Sequence, residues 1–266
     1  MSGQFEARWL ALREAADARA RCPRVAESLA SYFGGETRDA PLRILDIGAG
    51  AGNNLRATAS LLPRPQHWIL VDSDSGLLNL AIKSLPDGVT AEAVTADLAD
   101  GIEPCIDTEA LPDLVTASAL FDLCSAAWIE RFVAGIAAHR LPFHTVLSYD
   151  GRQDWRPPHP LDQAVIAAFQ DDQHRDKGLG PALGPDAHTA LAQQLRDAGY
   201  AVTEGESDWR LEVPRDAALI TALAAGTASA VATAVGPDAS AWGAARAAAS
   251  PVVIGHKDLV AFPPPG

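Results

Sequence analysis

A glycine-rich segment near residue 50 constrains the fold of this chain more than any other part of the sequence. Residues 43–55 read RILDIGAGAGNNL. The run at 43–47 is mostly apolar, as in a strand that is buried on both faces of a parallel sheet. Three glycines at every second position allow a sharp turn and a close approach to a ligand, because glycine has no Cβ. Helical sequence follows to Leu62, so the turn lies at a helix N-terminus, which suits an anionic or polar ligand group.

The spacing of these glycines distinguishes two classes of nucleotide-binding protein. Gly48, Gly50 and Gly52 follow the pattern G-x-G-x-G, whereas dinucleotide-binding dehydrogenases use G-x-G-x-x-G. With Asp46 two residues before the first glycine, the segment resembles the first motif of class I S-adenosylmethionine-dependent methyltransferases. The resemblance implies an α/β, Rossmann-like fold with a seven-stranded, mostly parallel sheet and helices on both faces. It also implies S-adenosyl-L-methionine as the cofactor, with Asp46 and the three glycines at its binding site.

A second apolar run, His67 to Asp72, predicts a strand that ends on an acid. Asp72 lies 20 residues after Gly52, where an acid is expected to bind the ribose hydroxyls of the cofactor. Ser73 follows directly and is predicted to join it in the cofactor site. Asp74 is an alternative for the same role, although it also suits the N-cap of the next helix.

Two further strands continue the resemblance. The strand at 90–95 is followed by Asp97 and Leu98, which match the positions that contact the adenine in methyltransferases. The segment 113–123 begins as a fourth strand, and Ser118 matches a position near the sulfonium end of the cofactor. The residues beyond it are predicted to face the methyl acceptor.

The chain before the first strand is predicted to be helical. Residues 4–33 place apolar side chains at roughly helical spacing, and Pro23 divides them into two helices. In many small-molecule methyltransferases such a segment covers the cofactor, which divides this chain into a helical cap at 1–40 and a methyltransferase domain at 41–266. Arg19 is the candidate to bind the methionine carboxylate, although a solvated arginine on an amphipathic helix is the alternative.

An insertion at 152–185 follows the fifth predicted strand at 145–149. Because the carboxyl ends of parallel strands surround the ligand crevice, an insertion there is in position to form a lid. A surface excursion with solvated charges is the alternative. Residues 201–213 predict a sixth strand, and residues 252–262 contain two short apolar runs. In the family, the last strand lies antiparallel between the fifth and sixth.

The predicted reaction is methyl transfer to an oxygen or nitrogen atom of a small polar acceptor. Such an atom loses a proton, and the side chains near the strand ends that can accept it are Asp122, Asp150 and His174. The residues predicted to contact the acceptor are Phe121, Tyr149, Arg152 and Lys177. The two cations among them favour an anionic acceptor.

Composition and charge indicate which partners and which cellular location to expect for this chain. The formal net charge of −13 argues against a nucleic-acid substrate, which usually requires a basic face. The longest apolar tract, at 217–235, is mostly alanine and is interrupted by polar residues, so no membrane span is predicted. Residues 1–6 lack the features of a signal peptide. We therefore expect a cytoplasmic monomer or homodimer with no nucleic-acid or membrane partner.

Cysteine and histidine spacing predict neither a disulfide framework nor a metal site. The three cysteines at 22, 105 and 124 form no C-x-x-C pair, which argues against a zinc site held by cysteines. Two alternatives remain open at this point. The first alternative to a small-molecule methyltransferase is a methyltransferase that acts on RNA or another nucleic acid. The second is a scaffold that binds S-adenosylmethionine without catalysis.

Overall fold

The computed structural model describes residues 2–34, 40–99, 101–106 and 109–265, and side chains from residue 7 onward. The predicted α/β class is confirmed, because strands and helices alternate along the chain. The strands of the described residues are β1 (Leu42–Ile47), β2 (Gln66–Asp72), β3 (Val89–Thr95), β4 (Leu114–Ser118), β5 (Phe143–Trp155), β6 (Ala201–Glu206), β7 (Trp209–Leu211) and β8 (Val252–Phe262).

All of these strands belong to one sheet, in the order β3-β2-β1-β4-β5-β8-β6, with β7 also paired to β8. The first five strands pair in parallel. The last strand, β8, lies antiparallel between β5 and β6, as predicted. Ile47 at the end of β1 pairs with Val71 and with Ala117. The register therefore brings the glycine turn, the end of β2 and the end of β4 to one edge of the sheet.

The helices cover both faces of this sheet, and their ends follow from the sequence. Pro23 begins the second helix, and the Asp74 carboxylate accepts hydrogen bonds from the N–H groups of Gly76 and Leu77 at the start of the fourth. The helices are α1 (Ser2–Ala20), α2 (Pro23–Phe33), α3 (Asn53–Thr58), α4 (Ser75–Lys83), α5 (Ala126–Ala138), α6 (Asp162–Gln173), α7 (Ala187–Asp197), α8 (Ala217–Ala230), α9 (Ala232–Val235) and α10 (Pro237–Arg246). The residues at 35–39, next to the predicted domain boundary, lie outside the described residues.

Strand β5 is longer than the sequence predicts. It continues through residues 150–155 because residues 148–155 pair with residues 252–257 of β8, with one register shift between Tyr149 and Gln153. The first residues of the predicted insertion therefore belong to the sheet. The predicted strand 201–213 is divided at Ser207 and Asp208 into β6 and β7. The two parts follow one another along the same side of β8.

Three groups of buried apolar side chains hold the layers together. One packs α5 and α7 on the sheet, and a second packs α2, α3 and α4 on it. The third lies between the outer half of β5, strand β7 and helices α1, α6, α8 and α10. Trp155 and Trp242 meet edge to face in this third core, at 5.2 Å between ring centroids. The insertion helix α6 and the alanine-rich helices therefore form one cover with the N-terminal helix.

A pair of glycine substitutions tests the backbone that shapes this sheet edge. Gly52 has φ +80°, and a Cβ there would lie 2.9 Å from the Ala81 Cβ. We expect Gly52→Ala to lower the free energy of unfolding by more than about 1 kcal/mol. Gly226 lies in the exposed middle of α8 with open space around it. Gly226→Ala is expected to raise the free energy of unfolding by about 0.5–1 kcal/mol. Urea denaturation measures both, and a stabilising Gly52→Ala would contradict the turn geometry.

Other features of the described residues bear on partners and redox state. No helix among them is long and apolar enough to cross a membrane. Cys22 and Cys124 are buried, Cys105 is partly buried, and all three thiols are free. No group of three or more His, Cys, Asp or Glu side chains in the described part of the chain is arranged to hold a metal ion.

Candidate functional site

The glycine turn after β1 is held against the end of β2. The Ala49 N–H donates to the Val71 carbonyl at 3.0 Å. The Gly50 N–H donates to one oxygen of the Asp72 carboxylate at 2.8 Å, and the Asp74 N–H donates to the other at 2.9 Å. Gly48 and Gly50 both have positive φ. The turn and the Asp72 carboxylate therefore form one rigid unit at the carboxyl edge of the sheet.

Two adjoining cavities open beside this unit. The first has a volume of about 330 Å³ and the second about 310 Å³. Gly48, Asp72 and Leu120 line both, so the two cavities meet at the glycine turn. The first cavity is also lined by Ser73, Ala96, Asp97, Leu98, Lys177, Gly178 and Leu179. The second is also lined by Trp9, Leu10, Arg13, Asp17, Ala49, Gly50, Ala51, Asn53, Asn54, Leu77, Ser118, Ala119 and Leu123.

A third cavity, of about 290 Å³, continues from the second. The two share four lining residues, which are Trp9, Arg13, Ala119 and Leu123. The rest of the third cavity is lined by Asp122, Leu147, Tyr149, Gln153, Phe169, Gln173, Trp209, Leu223, Thr227, Ile254 and His256. Its walls come from α1, the end of β4, the outer half of β5, α6, β7, α8 and β8. The three cavities form a series that runs from the end of β3 to the cover of helices.

Of the three non-glycine residues with positive φ in the described part of the chain, two line the second or third cavity and Arg140 does not. Ala119 has φ +52° and Leu147 has φ +60°. Residues other than glycine rarely adopt this left-handed region. The Leu147 N–H is held by the buried Asp258 carboxylate at 2.8 Å. Strained backbone of this kind clusters at functional sites. Ala119, directly after β4, lines both the second and third cavities, and Leu147, on β5, lines the third.

Two arginines of α1 have different surroundings. Arg13 lines the second and third cavities, and its Nε donates to Asp17 at 2.8 Å. Arg19, the residue predicted to bind the cofactor, instead pairs with Asp216 at 2.6 Å. It lines a separate cavity of about 490 Å³ between α1 and β7 that shares no residue with the series. The geometry therefore makes Arg13, not Arg19, the arginine of the site.

Asp122 is the buried acid of the third cavity. Its Oδ1 has no hydrogen-bond partner, and no ion pair with it is found among the described residues. Burial raises the pKa of Asp122 to about 6. His256 lies in the same cavity with its Nδ1 unpartnered, and burial lowers the pKa of its imidazole to about 3. At neutral pH the cavity therefore presents a mostly ionised carboxylate and a neutral imidazole.

The order of the strands identifies the fold. The resemblance predicts a mostly parallel sheet whose last strand lies antiparallel between the fifth and sixth, and β8 lies there. The solved structure of a cyclopropane-fatty-acyl-phospholipid synthase-like protein from Lactobacillus casei ATCC 334 superposes with a TM-score of 0.54 at 18% identity, over 94% of this chain and 92% of that chain. The chain has the class I methyltransferase fold.

Other solved structures with lower scores are similar to this methyltransferase fold. One is a cyclopropane synthase from Mycobacterium tuberculosis, with a TM-score of 0.48 and 15% identity over 88% of this chain and 83% of that chain. Another is a methyltransferase from Thiobacillus denitrificans in complex with S-adenosylhomocysteine, with a TM-score of 0.47 and 15% identity over 96% of this chain and 97% of that chain. No protein-family model matches the sequence, and no curated protein does.

Within this methyltransferase fold, most of the predicted cofactor residues line the first two cavities. They are Gly48, Gly50, Asp72, Ser73, Asp97, Leu98 and Ser118. Gly52 instead packs against α4. Asp46 is fully buried beneath the turn, where its Oδ1 accepts from the Asn54 Nδ2 at 2.8 Å. Burial raises the pKa of Asp46 to about 7. Asp46 therefore supports the turn from below rather than lining a cavity.

The predicted acceptor residues are divided between the cavities and other places. Asp122 and Tyr149 line the third cavity. Asp150 and Arg152 do not line it, because Arg152 pairs with Asp150 at 2.6 Å and with Asp208 at 2.8 Å outside the cavity. His174 follows α6 as an exposed residue and does not line it either.

Phe121 and Lys177 also differ from their predicted places. Phe121 is fully buried in an aromatic cluster with Phe132 and Phe143, at 5.0 and 5.4 Å between ring centroids. Lys177 lines the first cavity and pairs with Asp172 at 2.6 Å. Neither residue lines the third cavity. Among the described residues that line this cavity, the cation is Arg13, and the two predicted cations are not present.

Sequence reasoning missed most of the third cavity. The residues missed are Trp9, Arg13, Gln153, Gln173, Trp209 and His256. Trp9 and Arg13 are four residues apart on α1 and therefore share one helix face, which is the only local signal. Gln153, Trp209 and His256 come together through the pairing of β5 and β7 with β8, and Gln173 lies at the end of α6. No short-range pattern encodes either arrangement.

Proposed function

We propose that this chain is an S-adenosylmethionine-dependent methyltransferase that acts on an oxygen or nitrogen atom of a small acceptor. The observation that carries the proposal is the series of three cavities. The first two surround the glycine turn and Asp72, and the third contains the unpartnered Asp122 carboxylate. Ligands of open α/β sheets bind at this edge, outside the carboxyl ends of the strands.

The lining of the first two cavities fits the parts of the cofactor. A carboxylate has about four lone-pair sites, and the Asp72 carboxylate uses two on backbone N–H groups, so it can accept from both ribose hydroxyls. Asp97 and Leu98 line the first cavity, which we assign to the adenine ring. Gly50 keeps the turn open, because a Cβ there would lie 3.2 Å from the Leu10 Cδ1 and would narrow the second cavity.

Arg13 is the residue that we assign to the methionine carboxylate. Its Nε is held by Asp17, and the rest of its guanidinium has further N–H donors. It stacks over the Trp209 ring at 5.1 Å from the centroid. This fixes the planar group at the junction of the second and third cavities, where it can bind a carboxylate in bidentate fashion.

The residues of the third cavity provide alignment and proton removal. When bound, S-adenosylmethionine supplies a methyl group that is activated by the sulfonium charge. Trp9, Trp209 and Leu123 line the third cavity and would limit the directions from which the acceptor approaches, which supports alignment at roughly 3–3.5 Å between reacting atoms. The Asp122 carboxylate accepts the acceptor proton as a general base.

Titration with two ligands tests the assignment of Arg13. We expect Arg13→Met to weaken the binding of S-adenosylhomocysteine about tenfold, because it removes a hydrogen bond to a charged group worth at least about 1.5 kcal/mol. The binding of methylthioadenosine, which lacks the amino-acid part, is expected to stay unchanged. Arg19→Met serves as the matched control and should affect neither ligand. Equal losses for both ligands in Arg13→Met would contradict the assignment.

Turnover separates an enzyme from a scaffold that only binds the cofactor. Purified protein with labelled S-adenosylmethionine and a panel of small alcohols, phenols, amines and carboxylates should yield a methylated product with at least one class. Binding of S-adenosylhomocysteine without product from any class would favour the scaffold. Failure to bind S-adenosylhomocysteine would overturn the proposal as a whole.

A further inference from the structure

We propose that the methyl acceptor is a small amine that is cationic in solution and carries an apolar or aromatic body. The inference rests on the proposed function and deepens it, because it assigns the substrate class of the third cavity. It follows from three features of that cavity, which are its charge, its aromatic walls and its volume.

The charge of the third cavity is negative once the pairing of its side chains is considered. Asp122 is buried, its Oδ1 has no hydrogen-bond partner, and no cation forms an ion pair with it among the described residues. Burial raises the pKa of Asp122, and the charge of Arg13 lowers it by a smaller amount. Arg13 is the cation of the lining, and the Asp17 carboxylate already neutralises it at 2.8 Å. A buried carboxylate without a partner is costly in free energy. An ammonium group in the cavity would supply the missing partner, whereas a carboxylate or phosphate would add a second unpaired anion.

The other ionisable groups that face the cavity do not change this balance. The imidazole of His256 on β8 is neutral, because burial lowers its pKa to about 3. The phenol of Tyr149 on β5 is neutral as well, because burial raises its pKa to about 12. Its hydroxyl accepts a hydrogen bond from the Gln153 Nε2 at 2.8 Å. Arg152 and Lys177, which would favour an anionic acceptor, do not line the third cavity.

Aromatic rings form much of the wall around this carboxylate. Trp9 lies 6.2 Å from Trp209 between ring centroids, and Tyr149 lies 5.9 Å from Phe169. Trp209 also lies 5.0 Å from His256. One face of Trp209 is covered by Arg13, and within the described part of the chain no cation lies over the other rings of this cavity. Aromatic faces attract ammonium groups and pack well against apolar or aromatic bodies.

The volume limits the size of the acceptor. Ligand pockets for drug-sized molecules range over about 300–1,000 Å³, and the third cavity has about 290 Å³. It therefore suits an acceptor with one or two rings rather than a peptide or a lipid chain.

The proton balance of the reaction is consistent with an amine. The ammonium gives one proton to the Asp122 carboxylate, which frees a lone pair on nitrogen. That nitrogen forms a bond to the methyl carbon while the carbon–sulfur bond breaks and its electron pair stays on sulfur. The product leaves as a methylated ammonium, and Asp122 later releases its proton to water. Burial raises the pKa of Asp122, and desolvation lowers the pKa of the amine. The difference between the two pKa values is therefore smaller, which favours this proton transfer.

Three size-matched probes test the inference with a binding readout. They are 2-phenylethylamine, 2-phenylethanol and phenylacetate, titrated by calorimetry into protein saturated with S-adenosylhomocysteine. We expect the amine to bind about tenfold or more tightly than the alcohol, as for a hydrogen bond to a charged group, and phenylacetate to bind most weakly. Asp122→Asn is expected to bring the amine and the alcohol to equal affinity, and Asp150→Asn to keep the preference for the amine.

The outcomes separate this inference from the proposed function. If S-adenosylhomocysteine binds and the amine is not preferred, or shows no binding at millimolar concentration, the assignment of an amine is overturned while the methyltransferase proposal stands. If S-adenosylhomocysteine does not bind, the proposed function fails first. The affinity of Asp122→Asn for S-adenosylhomocysteine shows whether that variant is folded. Unchanged selectivity in a folded Asp122→Asn would also overturn the inference.

Discussion

Replacement of Asp122 with asparagine is expected to lower kcat by about 10²–10⁴, the usual contribution of a general base. The amide has almost the same shape as the carboxyl group but cannot accept a proton at neutral pH. Asp122 does not line the first or second cavity, so the affinity for S-adenosylhomocysteine should stay unchanged. Initial rates with a saturating acceptor and calorimetry with S-adenosylhomocysteine measure the two effects.

Asp150→Asn is the matched control for this substitution. Both acids follow or extend a central strand, and both were predicted as bases from the sequence. Asp150, however, pairs with Arg152 outside the third cavity. We expect Asp150→Asn to retain kcat within a factor of about two or three, which is the ordinary scatter of a change far from the reacting atoms. A large loss in Asp150→Asn with little loss in Asp122→Asn would reverse the assignment of the base.

The pH profile provides a second test of Asp122. The base is active when ionised, and burial raises its pKa to about 6. The kcat/KM of the wild-type protein should therefore fall as the pH is lowered through about 6, and this acid limb should be absent from the residual activity of Asp122→Asn. His256 adds no limb near neutral pH, because its pKa is lowered to about 3. A flat wild-type profile between about pH 5 and 8 would argue against a base with that pKa.

Replacement of Asp72 with alanine is the second large effect, because it removes the charged acceptor for the ribose hydroxyls. The loss of hydrogen bonds to a charged group amounts to about 1.5–3 kcal/mol, which corresponds to a roughly 10–150-fold weaker affinity for S-adenosylhomocysteine. It also leaves the Gly50 N–H without its acceptor, which adds to the loss by loosening the turn.

Asp74→Ala is the matched control for Asp72→Ala. The Asp74 side chain caps α4 and lines neither of the first two cavities. Its removal is expected to lower the free energy of unfolding by about 1 kcal/mol and to leave the affinity for S-adenosylhomocysteine unchanged. Calorimetry and urea denaturation on both variants separate binding from stability. Full affinity in Asp72→Ala would show that the ribose is not bound there.

The first two cavities could be predicted from the sequence because parallel strands fix the position of their carboxyl ends. Once the glycine turn was placed after β1, the ends of β2, β3 and β4 had to follow at the same sheet edge. Asp72, Asp97 and Ser118 line the first two cavities for this reason. Asp122 could be predicted in the same way, since it follows β4 by only a few residues.

The third cavity could not be predicted from local sequence patterns, because long-range packing determines which side chains line it. Helix α1 carries arginines at several positions, and its rotation is set by contacts of Trp9 and Asp17 with Trp209, far away in sequence. Strand β5 pairs with β8 through two register shifts. Alternation along a strand places Gln153 on the same face as Tyr149 and Arg152 on the other, and Gln153 alone of these last two lines the third cavity. What the sequence did not show is that β5 continues beyond Tyr149, because this depends on its pairing with β8.

A crystal structure of the protein with S-adenosylhomocysteine tests the central claim most directly. The account predicts that both ribose hydroxyls lie within hydrogen-bond distance, about 2.5–3.2 Å, of the Asp72 carboxylate. It also predicts the adenine in the first cavity and the sulfur at the junction beside Ala119, facing the third cavity and Asp122. Ligand bound away from the glycine turn, or a sulfur that faces away from the third cavity, would contradict the account.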